Sequence, residues 1–237
     1  MQNTGRKVRL QKYLAHAGIC SRRKAEEYIL NGRVKVNNQL ITELGTKVHP
    51  GNDQIFFDNQ PVILKQDTSK IYIALNKPQG FVTSCSQQKT KIILDLIDID
   101  ERVYPVGRLD KNSTGLVLLT NDGDLHNQLS HPSFNHEKEY IVTTLHPISE
   151  TALKNMAQGI IIDKVKTRKA IVKRLSRNKF NIVLKQGRNR QIRKMVGKTG
   201  NKVDILKRIR MANINLGNLK QGQWRYLTSE EIKRLTQ

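Results

Sequence analysis

The sequence predicts two α+β units in tandem: a small basic N-terminal module over residues 7–65 and, after a linker at 66–70, a domain over 71–237 built on a mostly antiparallel mixed sheet. Three observations lead there. Within the first 65 residues, helical periodicity gives way to short alternating runs. A polar stretch, Lys65-Gln66-Asp67-Thr68-Ser69-Lys70, then separates two blocks of different pattern. Beyond it, β-rich apolar runs mix with helical segments without strict βα alternation, the pattern of an α+β rather than a doubly wound domain.

In the first block Leu10, Tyr13, Leu14 and Ala17 recur at helical spacing, and Gly18 is a natural helix stop. Ser21 can cap a second helix with Ala25, Tyr28 and Ile29 on one face; Lys24 at its third position rules out a full capping box. Asn31-Gly32 ends that helix. Arg33-Val34-Lys35-Val36 alternates as a strand that turns at Asn37-Asn38, and 54–57 reads as another strand. After the linker, 71–75 is a short apolar strand broken by Asn76-Lys77-Pro78. Further strands are expected at 103–106, 116–120, 140–144, 170–173 and 180–184, and helices at 92–97, 123–129, 149–158, 188–199 and 229–235.

Charge narrows the function. Lys and Arg number 42 against 20 Asp and Glu, a formal net charge of +22. Self-repulsion of that size is tolerated when the partner is a polyanion, and RNA or DNA is the leading reading. From Lys164 to Arg210 there are eighteen Lys or Arg and a single acid, Asp204, which reads as a surface that tracks phosphates. Such contacts give affinity and position, not choice of sequence. The apolar run at 116–119 is far short of the roughly 20 residues that span a bilayer, and Met1 to Lys7 carry no apolar stretch of a secretory signal. Cys20 and Cys85 allow at most one disulfide, so a reducing cytoplasm and no membrane partner are expected.

Several signatures fail. Gly197-Lys198-Thr199 ends like a phosphate-binding loop, but Ile192 stands where its first glycine belongs. His136-Glu137 begins like a zinc-protease helix, but Tyr140 replaces the second histidine. Glycine-rich dinucleotide and nucleophile-elbow motifs are absent, so neither a metal nor a redox or nucleotide cofactor is expected.

Three segments carry reactive side chains. Gly107-Arg108-Leu109-Asp110-Lys111 sets an Asp between a strand end and a strand start; by itself this is an ordinary turn Asp. Glu137-Lys138-Glu139-Tyr140 opens a strand with a tyrosine that, alone, is half-buried packing. Residues 186–195 alone are one more basic helix.

Taken in order, these segments carry a family pattern. Arg9-Leu10-Gln11-Lys12-Tyr13-Leu14, Gly18-Ile19-Cys20-Ser21-Arg22-Arg23 and Asn31-Gly32-Arg33-Val34-Lys35-Val36-Asn37 resemble the S4 RNA-binding domain over nearly all of residues 7–58. Gly107-Arg108-Leu109-Asp110, Lys138-Glu139-Tyr140 and Asn189-Arg190-Gln191-Ile192-Arg193-Lys194-Met195 resemble the pseudouridine synthases. With the S4-like block in front, the resemblance is to the ribosomal-RNA group of RsuA, RluB, RluE and RluF enzymes. Residues 73–78 and 136–140 are most similar to the RluF branch, with the RluB pattern close.

The resemblance implies that Asp110 is the essential carboxylate of a cofactor-free reaction that detaches uracil from its ribose and rejoins it through carbon. Desolvation in a pocket disfavours the anion such a reaction needs, and an Arg within about 4–6 Å opposes that effect. Arg193 is the family's candidate for that Arg. Tyr140 maps to the active-site tyrosine, able to stack on the base and move a proton, and Ile192 offers an apolar wall. Arg108 is placed to fill the vacated stack or hold a phosphate. Arg190, Asn189 and Lys77 are expected to contact RNA from the second block, and Arg22, Arg23, Lys24 and Arg33 from the first. The implied partner is ribosomal RNA or an assembling ribosomal subunit, most readily the large one, bound by a monomer. Small-subunit rRNA or tRNA as target, or a non-catalytic RNA-binding assembly factor, remain the alternatives.

Overall fold

The computed structural model describes residues 7–64, 69–86, 89–130 and 135–235; positions 66–68 of the expected linker lie outside the described residues. The chain divides into two compact units between Ser69 and Lys70.

The first unit runs β1 (Val8–Arg9), α1 (Leu10–His16), α2 (Arg22–Leu30), β2 (Val34–Val36), β3 (Gln39–Ile41), β4 (Lys47–Val48), β5 (Ile55–Phe57) and β6 (Gln60–Pro61). Leu10, Leu14, Ala25, Ile29 and Val34 form its core, each at most 1% exposed. Burying such a side chain fully contributes about 1.5–3 kcal/mol, which is what holds two short helices to short strands. The Ser21 hydroxyl accepts the Lys24 amide at 3.2 Å, capping α2 as its sequence position suggests. Asn37 and Asn38 both adopt positive φ, 50° and 67°, the geometry of a two-residue hairpin between β2 and β3.

The second unit contains β7 (Tyr72–Lys77), β8 (Tyr104–Val106), β9 (Thr114–Thr120), α3 (Gly123–Ser130), β10 (Lys138–Thr144), α4 (Glu150–Gln158), β11 (Ile161–Ile162), β12 (Val165–Lys166), β13 (Ile171–Ser176), β14 (Lys179–Leu184), α5 (Gln191–Gly197), β15 (Val203–Met211), β16 (Ile214–Asn215), β17 (Trp224–Tyr226) and α6 (Ser229–Leu235). One sheet orders them β13-β14-β10-β15-β9-β7-β17, with β8 on β9 and β16 on β15. Among the described strand pairs only β15·β9 is parallel. Leu75, Val117, Val142 and Ile182 face one core together with Leu153 of α4 and Met195 of α5. Ala74, Leu116 and Leu118 face the other with Leu125 of α3 and Leu235 of α6. Because β9 is covered on both sides, its sequence is a continuous apolar run rather than an alternation.

The differences from expectation are local or concern short strands such as β3, β16 and β17, with one larger exception. Strand β7 continues through Asn76 and Lys77, and β10 opens at Lys138, so Tyr140 is its third residue. Residues Ile93–Leu96 form a 3-10 turn rather than an α-helix. Helix α5 starts only at Gln191, since Arg190 takes a left-handed φ of 51°. The exception is β15, a nine-residue strand in the middle of the sheet. Asp204, Lys207, Arg208 and Arg210 place it within the stretch that reads as a phosphate-tracking surface. The basic stretch as a whole is also less open than its composition implies. Arg210 pairs with Glu137 at 3.0 Å and Glu139 at 2.7 Å, Lys194 with Asp163 at 2.5 Å, and Arg174 with Glu150.

Candidate active site

Asp110 sits in the turn from β8 to β9, and that turn is fixed from several sides. Thr83 Oγ1 donates to the Leu109 carbonyl at 2.9 Å and accepts the Leu109 amide at 3.2 Å. The Ser113 amide closes the turn on the Asp110 carbonyl at 3.0 Å. From β7, Lys77 Nζ donates to the carbonyls of Ser113 at 2.8 Å, Pro78 at 2.9 Å and Lys111 at 3.4 Å. Lys77 is wholly buried, and burial pushes its ammonium down to about 8 while the charge of Asp110 works the other way. The sequence expectation of an RNA contact at Lys77 is therefore corrected: it organises the turn under Asp110.

A single glycine lets the strand that follows the turn pack against β15. Gly115, at φ 103°, lies against β15 so closely that a Cβ would stand 2.1 Å from the Arg208 carbonyl oxygen. Only glycine permits that parallel pairing. On the far side, Gln191 Oε1 accepts the Arg188 amide at 3.1 Å and shapes the loop into α5. Two residues on, Arg193 reaches back to the turn. Its Nη2 donates to Asn112 O at 2.9 Å and Ser113 Oγ at 3.3 Å, and its Nη1 to Val203 O at 3.3 Å. Its Nε lies 3.8 Å from Asp110 Oδ2, the same oxygen that Arg190 Nη1 approaches at 3.8 Å. Burial and the like charge of Arg190 push Arg193 down while Asp110 opposes them, and a guanidinium stays charged regardless.

Beside Asp110 opens a cleft of about 200 Å³. Arg108, Tyr140, Arg190 and Ile192 line it with Asp110, so five residues expected from sequence converge. Arg193 stands behind Asp110 rather than in the wall, and Asn189 is exposed outside it. A carboxylate flanked by two guanidiniums, in a cleft that an aromatic ring and an aliphatic side chain also line, suits an anion that must react with a flat, weakly polar ring.

The cations expected to meet RNA from the first unit stand in different surroundings. Arg22 and Arg23 are exposed on the first turn of α2. Lys24 already pairs with Glu27 at 2.5 Å, and Arg33 pairs with Asp58 while lying 4.4 Å and 4.8 Å from the ring centres of Tyr28 and Phe57. Both are engaged within the unit while staying exposed, so an RNA phosphate would compete there with an internal partner.

Sequence reasoning missed four cations that also line the cleft, Lys138, Lys185, Arg188 and Arg208. Lys138 was within reach, because a residue two before Tyr140 on one strand shares its face. Arg208 was not, because nothing in the local pattern marks β15 as a strand.

Residues 71–198 match the RNA pseudouridylate synthase family, and residues 8–55 the S4 domain. The chain is 41% identical over 225 residues to the dual-specificity RNA pseudouridine synthase RluF of Escherichia coli K12, covering 95% of this chain and 77% of that one. It is also 41% identical over 235 residues to the ribosomal large subunit pseudouridine synthase B of Bacillus subtilis 168, covering 96% and 95%. A crystal structure of a pseudouridylate synthase superposes with a TM-score of 0.71 at 32% identity, over 96% of this chain and 99% of the other. The turn, the strand and the helix that meet around Asp110 thus belong to a member of the RNA pseudouridylate synthase family, an RNA-modifying isomerase with an S4 domain ahead of its synthase domain.

Proposed function

We propose that this enzyme converts a uridine of large-subunit ribosomal RNA to pseudouridine, as a cytoplasmic monomer, with Asp110 as the reacting carboxylate. The observation that carries the reading is the placement of Asp110 Oδ2 at 3.8 Å from both Arg193 and Arg190, at the mouth of a cleft walled by Tyr140. The name of the Bacillus subtilis relative supports the large subunit, and the second unit builds the cleft from one chain.

The target uridine must leave its stack, at a cost of a few kcal/mol. Arg108, exposed at the cleft mouth, is placed to fill the gap or hold a neighbouring phosphate. The ring of Tyr140 stacks on the base, worth about 1–3 kcal/mol. Asp110 then adds either to C6 of the base or to C1′ of the ribose, and both routes use the same placement. The bond to Asp110 breaks again before product leaves, so over the whole reaction the C1′–N1 bond breaks, a C1′–C5 bond forms, the C5 proton leaves and N1 gains a proton. The Tyr140 hydroxyl is the group on hand to move that proton.

Asp110→Asn keeps the shape and removes the anion. Tritium release from C5-labelled uridine in ribosomal RNA is expected to fall to background while RNA affinity holds; continued release overturns the assignment of Asp110. Release by the unaltered enzyme from tRNA or small-subunit transcripts, and not from large-subunit fragments, overturns the assignment of target. Sedimentation as a dimer at working concentration overturns the monomer.

A further inference from the structure

We propose that Arg208 holds the C4 carbonyl oxygen of the extruded uracil and stabilises the negative charge that gathers there during isomerisation. The inference rests on the reading of the Asp110 cleft as the reaction site and names a further catalytic residue within it.

Among the described residues Arg208 is the largest fully buried side chain, at 1% exposure, yet it lines the cleft. Its Nε donates to Leu116 O at 2.6 Å. Its Nη2 is buried and has no hydrogen-bond partner among the described residues. Leaving a buried N–H of a charged group unsatisfied is costly, which makes an acceptor supplied by a ligand the simplest explanation. Lys138 adds to the imbalance: burial pushes its ammonium down, and the like charge of Arg208 pushes the same way. Among the described residues no carboxylate pairs with either cation. A buried guanidinium with a half-buried ammonium near it favours a guest that becomes negative.

Position selects the guest. In the sheet register Arg208 stands directly opposite Tyr140, and it shares a strand face with Leu206, which also lines the cleft. The phosphates of an extruded nucleotide stay with the backbone at the mouth, where Arg108 and Arg190 are exposed. A guanidinium this deep is reached by the base alone. Either route places charge on O4. Heterolysis of C1′–N1 leaves its electron pair on uracil, spread over N1, O2 and O4; addition to C6 pushes the C5–C6 electron pair through C4 onto O4. In both cases the charge is discharged when C5 has bonded to C1′, the C5 proton has left and N1 is protonated.

The test compares single-turnover rates of wild type, Arg208→Gln and Arg208→Lys on RNA carrying uridine, 4-thiouridine or 2-thiouridine at the target. Arg208→Gln is expected to slow the uridine reaction about 100-fold, the scale of removing one such donor, with RNA affinity unchanged. Sulfur is a weak acceptor, so the advantage of wild type over the variant should shrink at least tenfold on 4-thiouridine and persist on 2-thiouridine. An advantage that is the same on all three RNAs, or that shrinks only on 2-thiouridine, or a variant as fast as wild type, overturns the proposal. If circular dichroism shows Arg208→Gln unfolded, Arg208→Lys, which keeps the charge, carries the same comparison. Asp110→Asn, run alongside, separates the two readings: activity in that variant removes the cleft as reaction site, whereas its silence with an unchanged sulfur pattern removes only the role of Arg208.

Discussion

Arg193 meets Asp110 with only one of its nitrogens: Nε lies 3.8 Å from Oδ2, while Nη1 and Nη2 are occupied by Val203 O, Asn112 O and Ser113 Oγ. One planar guanidinium thus ties helix α5, the start of β15 and the Asp110 turn together, and it sets a charge beside the carboxylate as a by-product of that geometry.

Arg193→Lys separates the two roles. An ammonium keeps the charge but cannot span acceptors on two elements with a fixed fork. The variant is expected to lose about 2 kcal/mol of stability, the scale of a hydrogen bond to a charged group. A displacement of Asp110 by ~1 Å would slow turnover about 100-fold. Urea denaturation and tritium release check the two effects. A lysine variant with wild-type stability and rate would show that charge alone matters at this position.

Lys77 makes a pH signature. Its ammonium titrates near 8 in the folded chain against an ordinary 10.5. Below about pH 8 both folded and unfolded chains hold the proton, and the folded state bears the whole cost of the buried charge. Between 8 and 10.5 the folded chain releases its proton first, so stability rises with pH through that window. Relative to Lys77→Met, wild type is therefore expected to gain unfolding free energy as pH is raised from about 7 to about 10. A difference that stays flat across that range would remove the buried-charge account. Because the ammonium is wholly buried, RNA affinity at neutral pH is expected to be equal in the two proteins.

Gly115→Ala tests the close approach of β9 and β15. The added carbon would fall 2.1 Å from backbone, which cannot move aside as a flexible side chain could, at a φ that L residues rarely adopt. A loss of more than about 4 kcal/mol is expected, in the exceptional range for one substitution. Tyr140 and Arg208 should lose their protected amides together in hydrogen exchange, since both depend on β15. A melting temperature within a few degrees of wild type would mean that the two strands do not approach as described.

What sequence could and could not show follows from range. The Asp110 turn, Tyr140 and Arg193 were legible because each lies in a short contiguous pattern whose neighbours are themselves diagnostic, and the two helices of the first unit were legible from spacing and caps. Burial of charge was not. Glu137 and Arg210 are 73 positions apart and Arg208 meets Leu116 across 92, so the partner that turns an apparent surface cation into an interior one is invisible locally. The same blindness hid β15, whose pairing with β10 and β9, rather than its own apolar content, makes it a strand. It also put Lys77 on the surface, where its three carbonyl partners could not be anticipated.

In the first unit, exposed and engaged cations should respond differently. Arg22 and Arg23 project from the start of α2, whereas Arg33 pairs with Asp58 and covers Tyr28 and Phe57. Replacing Arg22 and Arg23 together by Ala is expected to weaken RNA binding whatever the sequence and to flatten the slope of log affinity against log salt by about one to two units, one for each phosphate no longer neutralised. The fold should be untouched, because neither side chain is buried. Arg33→Ala should do the reverse: the salt slope holds, while the first unit is slightly destabilised by loss of an exposed ion pair and of an exposed cation stacked on aromatic rings. Filter binding at graded potassium chloride, beside thermal melts of the whole chain, distinguishes the patterns. A salt slope unchanged on replacement of Arg22 and Arg23 would mean that this face of α2 does not touch RNA.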